Sequence, residues 1–161
     1  MIHHVQLACP PGSEDTLRDF YGRVLGFQEV AKPPALAARG GCWFRGHGIE
    51  LHLGVEQDFR PARKAHPGLL VRDLDAWASR LRAAGAPALF DDDFPGMRRF
   101  YSEDPHGNRL EFLEPADNGW PGGGQPCGNA FRLPAGRPDR VAGRRRGPGW
   151  SRPFRSATEQ R

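Results

Sequence analysis

Ile2-His3-His4-Val5-Gln6-Leu7-Ala8-Cys9 mostly alternates apolar and polar residues, and past Pro10-Pro11-Gly12 the period changes. From Leu17 onward, Phe20, Tyr21, Val24 and Leu25 recur at the spacing of one helical face. The first pattern predicts a strand and the second a helix, with Ser13 at its N-cap, Glu14 and Asp15 in its first turn and Gly26 closing it. Short strands are expected to follow at 27–30, 41–45 and 48–55. The same order then returns. Residues 65–71 read as a strand, Asp73 as the N-cap of a helix carrying Leu74, Trp77, Ala78 and Leu81, and Gly85 as its end. Strands are expected at 88–90, 98–102 and 108–113. His4 and His66 lie 62 positions apart, Gly26 and Gly85 59 apart. A repeat of this kind predicts two copies of one βαβββ module: module one over 1–55, a linker over 56–64 and module two over 65–116.

Composition bounds the rest. The chain has 161 residues, 38% hydrophobic and 26% charged, enough for one packed core. No run approaches the roughly 18 apolar residues of a spanning helix. The net charge of +4 is uneven, because residues 117–161 hold nine Arg against three acids. Nine Gly and six Pro fall in the same 45 residues, so this stretch reads as a solvated, disordered tail. Arg144-Arg145-Arg146 with Trp150, Phe154 and Arg155 pairs charge with aromatic groups, the chemistry of weak nucleic-acid contact, but the plain reading is a solvated segment. The N-terminal residues show no basic region followed by an apolar stretch. Cys9, Cys42 and Cys127 are odd in number and widely spaced. A reducing, cytoplasmic setting is expected, with Cys9 and Cys42 as small packed groups.

Alternation sorts the strands into faces. Val5, Leu7 and Cys9 point to the helix side, and His4, Gln6 and Ala8 to the other. In module two, Pro67, Leu69 and Val71 oppose His66, Gly68 and Leu70. Glu50 and His52 share one face of the last strand of module one, and Glu111 shares a face with Arg109 and Leu113. His4 to His52 spans 48 residues and His66 to Glu111 spans 45, so two near-equivalent pairs emerge. His3 reads as structural on the helix side, and His47 and His106 as solvated loop residues. Asp91-Asp92-Asp93 reads as solvated loop charge, and Arg99 as an ion-pair residue that could also meet a substrate anion.

Four motifs carry a resemblance: His4-Val5-Gln6-Leu7; Phe20-Tyr21-Gly22-Arg23-Val24-Leu25-Gly26-Phe27; Val71-Arg72-Asp73-Leu74-Asp75; and Asp104-Pro105-His106-Gly107-Asn108-Arg109-Leu110-Glu111-Phe112. In this order, over about residues 2–115, the chain resembles the vicinal-oxygen-chelate superfamily of glyoxalases, bleomycin-resistance proteins and extradiol dioxygenases. The resemblance implies an α+β fold in which paired βαβββ modules form curved, barrel-like mixed sheets around a metal and substrate cavity. It also implies metal ligands at His4, His66 and Glu111, with a fourth from module one. His52 is favoured because Leu51-His52-Leu53 parallels Leu110-Glu111-Phe112, and Glu50 is the alternative.

Three imidazoles and a carboxylate suit Zn, Fe, Ni, Co or Mn, and a divalent ion there holds vicinal substrate oxygens as a Lewis acid. Glu111 is the expected catalytic proton shuttle. The expected function is a metal-dependent lyase, isomerase or transferase acting on a small oxygenated substrate, as a homodimer. The alternatives are an extradiol-type dioxygenase, whose signature His has no counterpart in Asp92-Asp93-Phe94-Pro95, and a non-catalytic protein that sequesters a drug or metabolite.

Overall fold

The computed structural model describes residues 2–116 together with 132, 133, 135 and 136. The tail segment Arg144 to Arg155 and Cys127 lie outside the described residues. Module one runs β1 (His4–Cys9), α1 (Glu14–Leu17), a π-helical segment (Arg18–Val24), β2 (Gln28–Val30), α2 (Pro34–Ala37), β3 (Cys42–Gly46) and β4 (Ile49–Val55). Module two runs β5 (Gly68–Leu70), α3 (Leu74–Ala83), β6 (Leu89–Asp91), β7 (Met97–Glu103) and β8 (Arg109–Pro115). Each forms one four-stranded sheet, in the orders β1-β4-β3-β2 and β5-β8-β7-β6. The first strand of each module pairs with the last in parallel, and the other pairings are antiparallel. This is the repeated βαβββ architecture that the sequence predicts. The two sheets remain separate rather than closing into one barrel.

The helix-side faces make the core. Leu7, Cys9, Leu51 and Leu53 pack with Leu17, Phe20, Tyr21, Val24 and Leu25, while Leu69, Val71, Leu110 and Phe112 pack with Leu74, Trp77 and Leu81. The expected helical face is buried as predicted, but from Arg18 its turns are π-helical. Gly26 (φ 77°) and Gly85 (φ 89°) end the two helical segments in the left-handed region, where a side chain would be strained. Asp73 caps α3 by accepting from the Ala76 N–H at 3.0 Å. Ser13 makes no such cap, because its hydroxyl donates instead to the Pro10 carbonyl at 2.7 Å. Strand β5 starts at Gly68 rather than 65, since Pro67 has no N–H to give to the ladder. Among the described residues no helix is long and apolar enough to cross a membrane.

Two sets of hydrogen bonds join the modules. Arg80 of α3 donates to the carbonyls of Val24 (2.6 Å) and Arg23 (2.9 Å). It also reaches the Gly136 carbonyl at 2.6 Å, and Leu133 packs against the core, so this part of the chain beyond 116 touches the body. The second set surrounds Asp104, which is 2% exposed. Its carboxylate accepts from Tyr21 Oη (3.0 Å), Asn108 Nδ2 (2.8 Å) and the backbone N–H groups of His106 and Asn108 (both 2.9 Å). Asn108 also donates to the Ala8 carbonyl (2.9 Å) and accepts from Ala62 N–H (3.0 Å). Tyr21→Phe deletes one donor to a buried carboxylate and is expected to lower the unfolding free energy by about 1–3 kcal/mol. Urea denaturation should show a lower midpoint at an unchanged slope.

Candidate functional site

The face away from the helices carries the candidate residues, in two groups. In module one, the parallel register sets His4 opposite Glu50 and Gln6 opposite His52. Trp43 of β3 stands opposite His52. Its ring stacks on the imidazole with centroids 4.0 Å apart and planes 6° apart. His4 covers the other face of His52 at 4.2 Å and 13°. The His52 Nε2 lies 3.1 Å from Glu50 Oε2, and Arg45 Nη2 donates to Glu50 Oε1 at 2.6 Å. His52 is thereby only 5% exposed.

In module two, the Glu111 N–H donates to the Pro67 carbonyl at 3.1 Å, which brings β8 alongside the segment that carries His66. His66 Nδ1 lies 2.8 Å from the Lys64 carbonyl. A carbonyl only accepts, so Nδ1 carries a proton and donates it there. The ring's Nε2 faces Glu111 Oε2 at 3.4 Å. The other oxygen, Oε1, accepts from Arg99 Nη1 at 2.9 Å. A Cβ at Gly68 would lie 3.4 Å from Glu111 Oε2 and 3.1 Å from Leu113 Cδ1, so the absence of a side chain at 68 keeps the space over Glu111 clear.

The expected ligands therefore stand as two pairs, His4 with His52 and His66 with Glu111. Among the described residues no group of three or more His, Cys, Asp or Glu side chains is placed to hold a metal ion. The nearly parallel rings of His4 and His52 also cannot both aim in-plane lone pairs at one ion as they stand.

Several other residues differ from their sequence reading. His3 is exposed and contacts His4 ring nitrogen to ring nitrogen at 3.1 Å, rather than packing on the helix side. His47 and His106 are half-buried against Phe27 and Phe59, and burial pushes both imidazoles below their usual pKa. Asp91 is bound to Arg99 rather than solvated. Trp43, Arg45 and Tyr101 also border the candidate groups and were not singled out. Their signal is cross-strand adjacency, Trp43 to His52, Arg45 to Glu50 and Tyr101 to Glu111, which needs the register. Cys9 and Cys42 are buried as expected, and desolvation pushes the Cys42 thiol up to about 12, well away from a reactive thiolate.

Known proteins share this fold. Residues 2–112 match the Glyoxalase/Bleomycin resistance protein/Dioxygenase superfamily, and the chain belongs to that superfamily. A structure from Bacillus anthracis assigned to the glyoxalase family shares 45% identity at a TM-score of 0.68, covering 71% of this chain and 94% of that one. The lactoylglutathione lyase of Agrobacterium tumefaciens (22% identity, TM-score 0.56, 71% and 92% covered) shares the fold. So does a fosfomycin resistance protein of Listeria monocytogenes (14%, TM-score 0.58, 73% and 94% covered). Among curated relatives, Glyoxylase I 4 of Arabidopsis thaliana is 40% identical over 52 residues, which is 32% of this chain and 28% of that relative's length.

Four carboxylates, one on α1 and three on strands, have their pKa values lowered. The Gly41 N–H, 2.7 Å away, lowers the pKa of Glu14, and the Arg18 guanidinium lowers that of Glu29. Glu50 is lowered by its hydrogen bonds to His52 and then Arg45. At Asp91 burial works the other way, but the Arg99 guanidinium together with the Asp93 N–H outweighs it and the net shift is downward. All four bind their protons more tightly in the unfolded chain, so their contribution is present above the ordinary carboxylate pKa and is lost as pH falls through the lower folded values. Urea midpoints taken at constant ionic strength should drop between about pH 5 and pH 3, and Glu14→Gln should flatten that drop.

Proposed function

We propose that this protein is a metal-dependent, glyoxalase-like enzyme that acts on a small substrate with neighbouring oxygens. The observation that carries this reading is the 3.4 Å approach of His66 Nε2 to Glu111 Oε2, while the Nδ1 proton is spent on the Lys64 carbonyl. With Nδ1 committed to that carbonyl, Nε2 is the ring nitrogen left to meet a cation beside Glu111 Oε2, and an imidazole with a carboxylate is a donor set for a borderline divalent ion. His66 and Glu111 would hold the ion from module two, and His4 and His52 from module one after the two rings turn apart, with Glu50 the alternative to His52. Bound there, Zn, Fe, Ni, Co or Mn would supply Lewis-acid stabilisation of a substrate oxyanion.

The chain's own groups do the rest. Glu111, 9% exposed, would take a proton from the substrate and return it at Oε2 when that oxygen is not engaged as a ligand, while Oε1 stays anchored on Arg99. The rings of Trp43 and Tyr101 flank the two halves and limit water. Because the two pairs stand apart within one chain, we place the complete site in a homodimer, with module one of one copy facing module two of its partner.

Protein purified without added metal is expected to hold about one divalent ion per chain. His66→Ala and Glu111→Gln should each weaken its binding by at least the 10–100-fold seen when groups behind the ligands are lost, and His3→Ala should leave it unchanged. His52→Ala against Glu50→Gln decides the fourth ligand. Mixing His4→Ala/His52→Ala protein with His66→Ala/Glu111→Gln protein should regenerate one intact site per mixed dimer. A wild-type chain that takes up no metal overturns the reading.

A further inference from the structure

Glu111 is not held by its ligand partner alone. Strand β7 sets Arg99 opposite Asp91 on one side and one step diagonal from Glu111 on the other, because Asp91 pairs with Arg99 and Tyr101 with Glu111. Arg99 Nε (2.8 Å) and Nη2 (2.6 Å) both donate to Asp91 Oδ1, and Nη1 donates to Glu111 Oε1 at 2.9 Å. Its guanidinium carbon lies 5.3 Å from the Phe94 ring centre and 5.2 Å from that of Tyr101, so the group is seated on aromatic surface and its side chain is 16% exposed. The two Glu111 oxygens thus have separate partners. Oε1 is fixed by Arg99, and Oε2 is turned to His66.

Resting on the metal reading above, we propose that Asp91 and Arg99 form a positioning relay that presents Glu111 Oε2, and only that oxygen, to the bound cation. The charges support a tuning role. One guanidinium shared by two carboxylates leaves the trio at net −1, so Glu111 keeps its attraction for a cation while its orientation is fixed. Without Asp91, the whole charge of Arg99 would fall on Glu111 and oppose the incoming ion. Without Arg99, the carboxylate would be free to turn and to bind through both oxygens. Lysine has a single compact donor head and cannot fork Asp91 while reaching Glu111.

The test is metal affinity of the full chain, measured by calorimetry with Zn²⁺ and by the visible absorption of Co²⁺-loaded protein. Arg99→Met is expected to weaken Zn²⁺ binding about 10–100-fold and to alter the Co²⁺ band. Arg99→Lys should recover part of the affinity. Asp91→Asn should also weaken binding, and it decides the question if Arg99→Met does not fold. Arg98→Met, whose side chain pairs with Asp75 and Glu114 instead, should bind like the wild type. Wild-type binding together with unchanged affinity and spectrum in Arg99→Met and Asp91→Asn overturns the relay alone. Absence of metal binding in the wild type overturns the underlying reading as well.

Discussion

A charged carboxylate that is 2% exposed must find donors or forfeit several kcal/mol, and Asp104 finds four. Satisfying it fixes much of the molecule. The phenol of Tyr21 comes from the helical segment of module one, and burial followed by the charge of Asp104 pushes that phenol well above its ordinary pKa, so it stays a donor. The two backbone donors come from the turn that launches β8. Asn108 extends the same network to the carbonyl of Ala8 on β1 and to Ala62 in the linker. One buried group thereby relates the strand that carries His4 to the strand that carries Glu111.

From that anchor the pleat of each sheet does the sorting. Leucines at 51 and 53 and aromatics at 100 and 112 are drawn into the core, so their neighbours His52, Arg99, Tyr101 and Glu111 are sent to the opposite face. That face is polar but well ordered. Glu50 is shared between Arg45 and His52, and Arg99 between Asp91 and Glu111. Each module thus presents a carboxylate with one side tied to an arginine and the other directed at a histidine.

The architecture was legible because its signals are local. Period changes at Pro10 and at Asp73, and glycines at 26 and 85, mark the same element sequence twice, and no long-range knowledge is needed to see it. The facing of His4, His52 and Glu111 follows from alternation, whereas His66 lies before β5 and is positioned by the pairing of Pro67 with β8. What alternation does not carry is register across strands. Asp91 reads as loop charge because its partner is eight positions away on the next strand, and Trp43 gives no signal of its own because what makes it a site residue is His52 opposite it. The start of β5 differs for another reason: Pro67 has no N–H to give to the ladder, so the strand begins at Gly68. The four candidate ligands divide into two pairs because their strands belong to separate sheets, a fact of topology that the module repeat suggests but does not dimension.

The ring stack in module one distributes freedom unequally. His52 is gripped between Trp43 and His4 and tethered by Glu50, so almost all its rotamer entropy is already lost on folding. His4 is covered on one face only and is exposed on β1. Any ligand that draws both imidazoles toward itself meets one side chain that is already still and one that has to be brought to rest. The entropic penalty of assembling that half of the site therefore falls chiefly on the first strand of the chain.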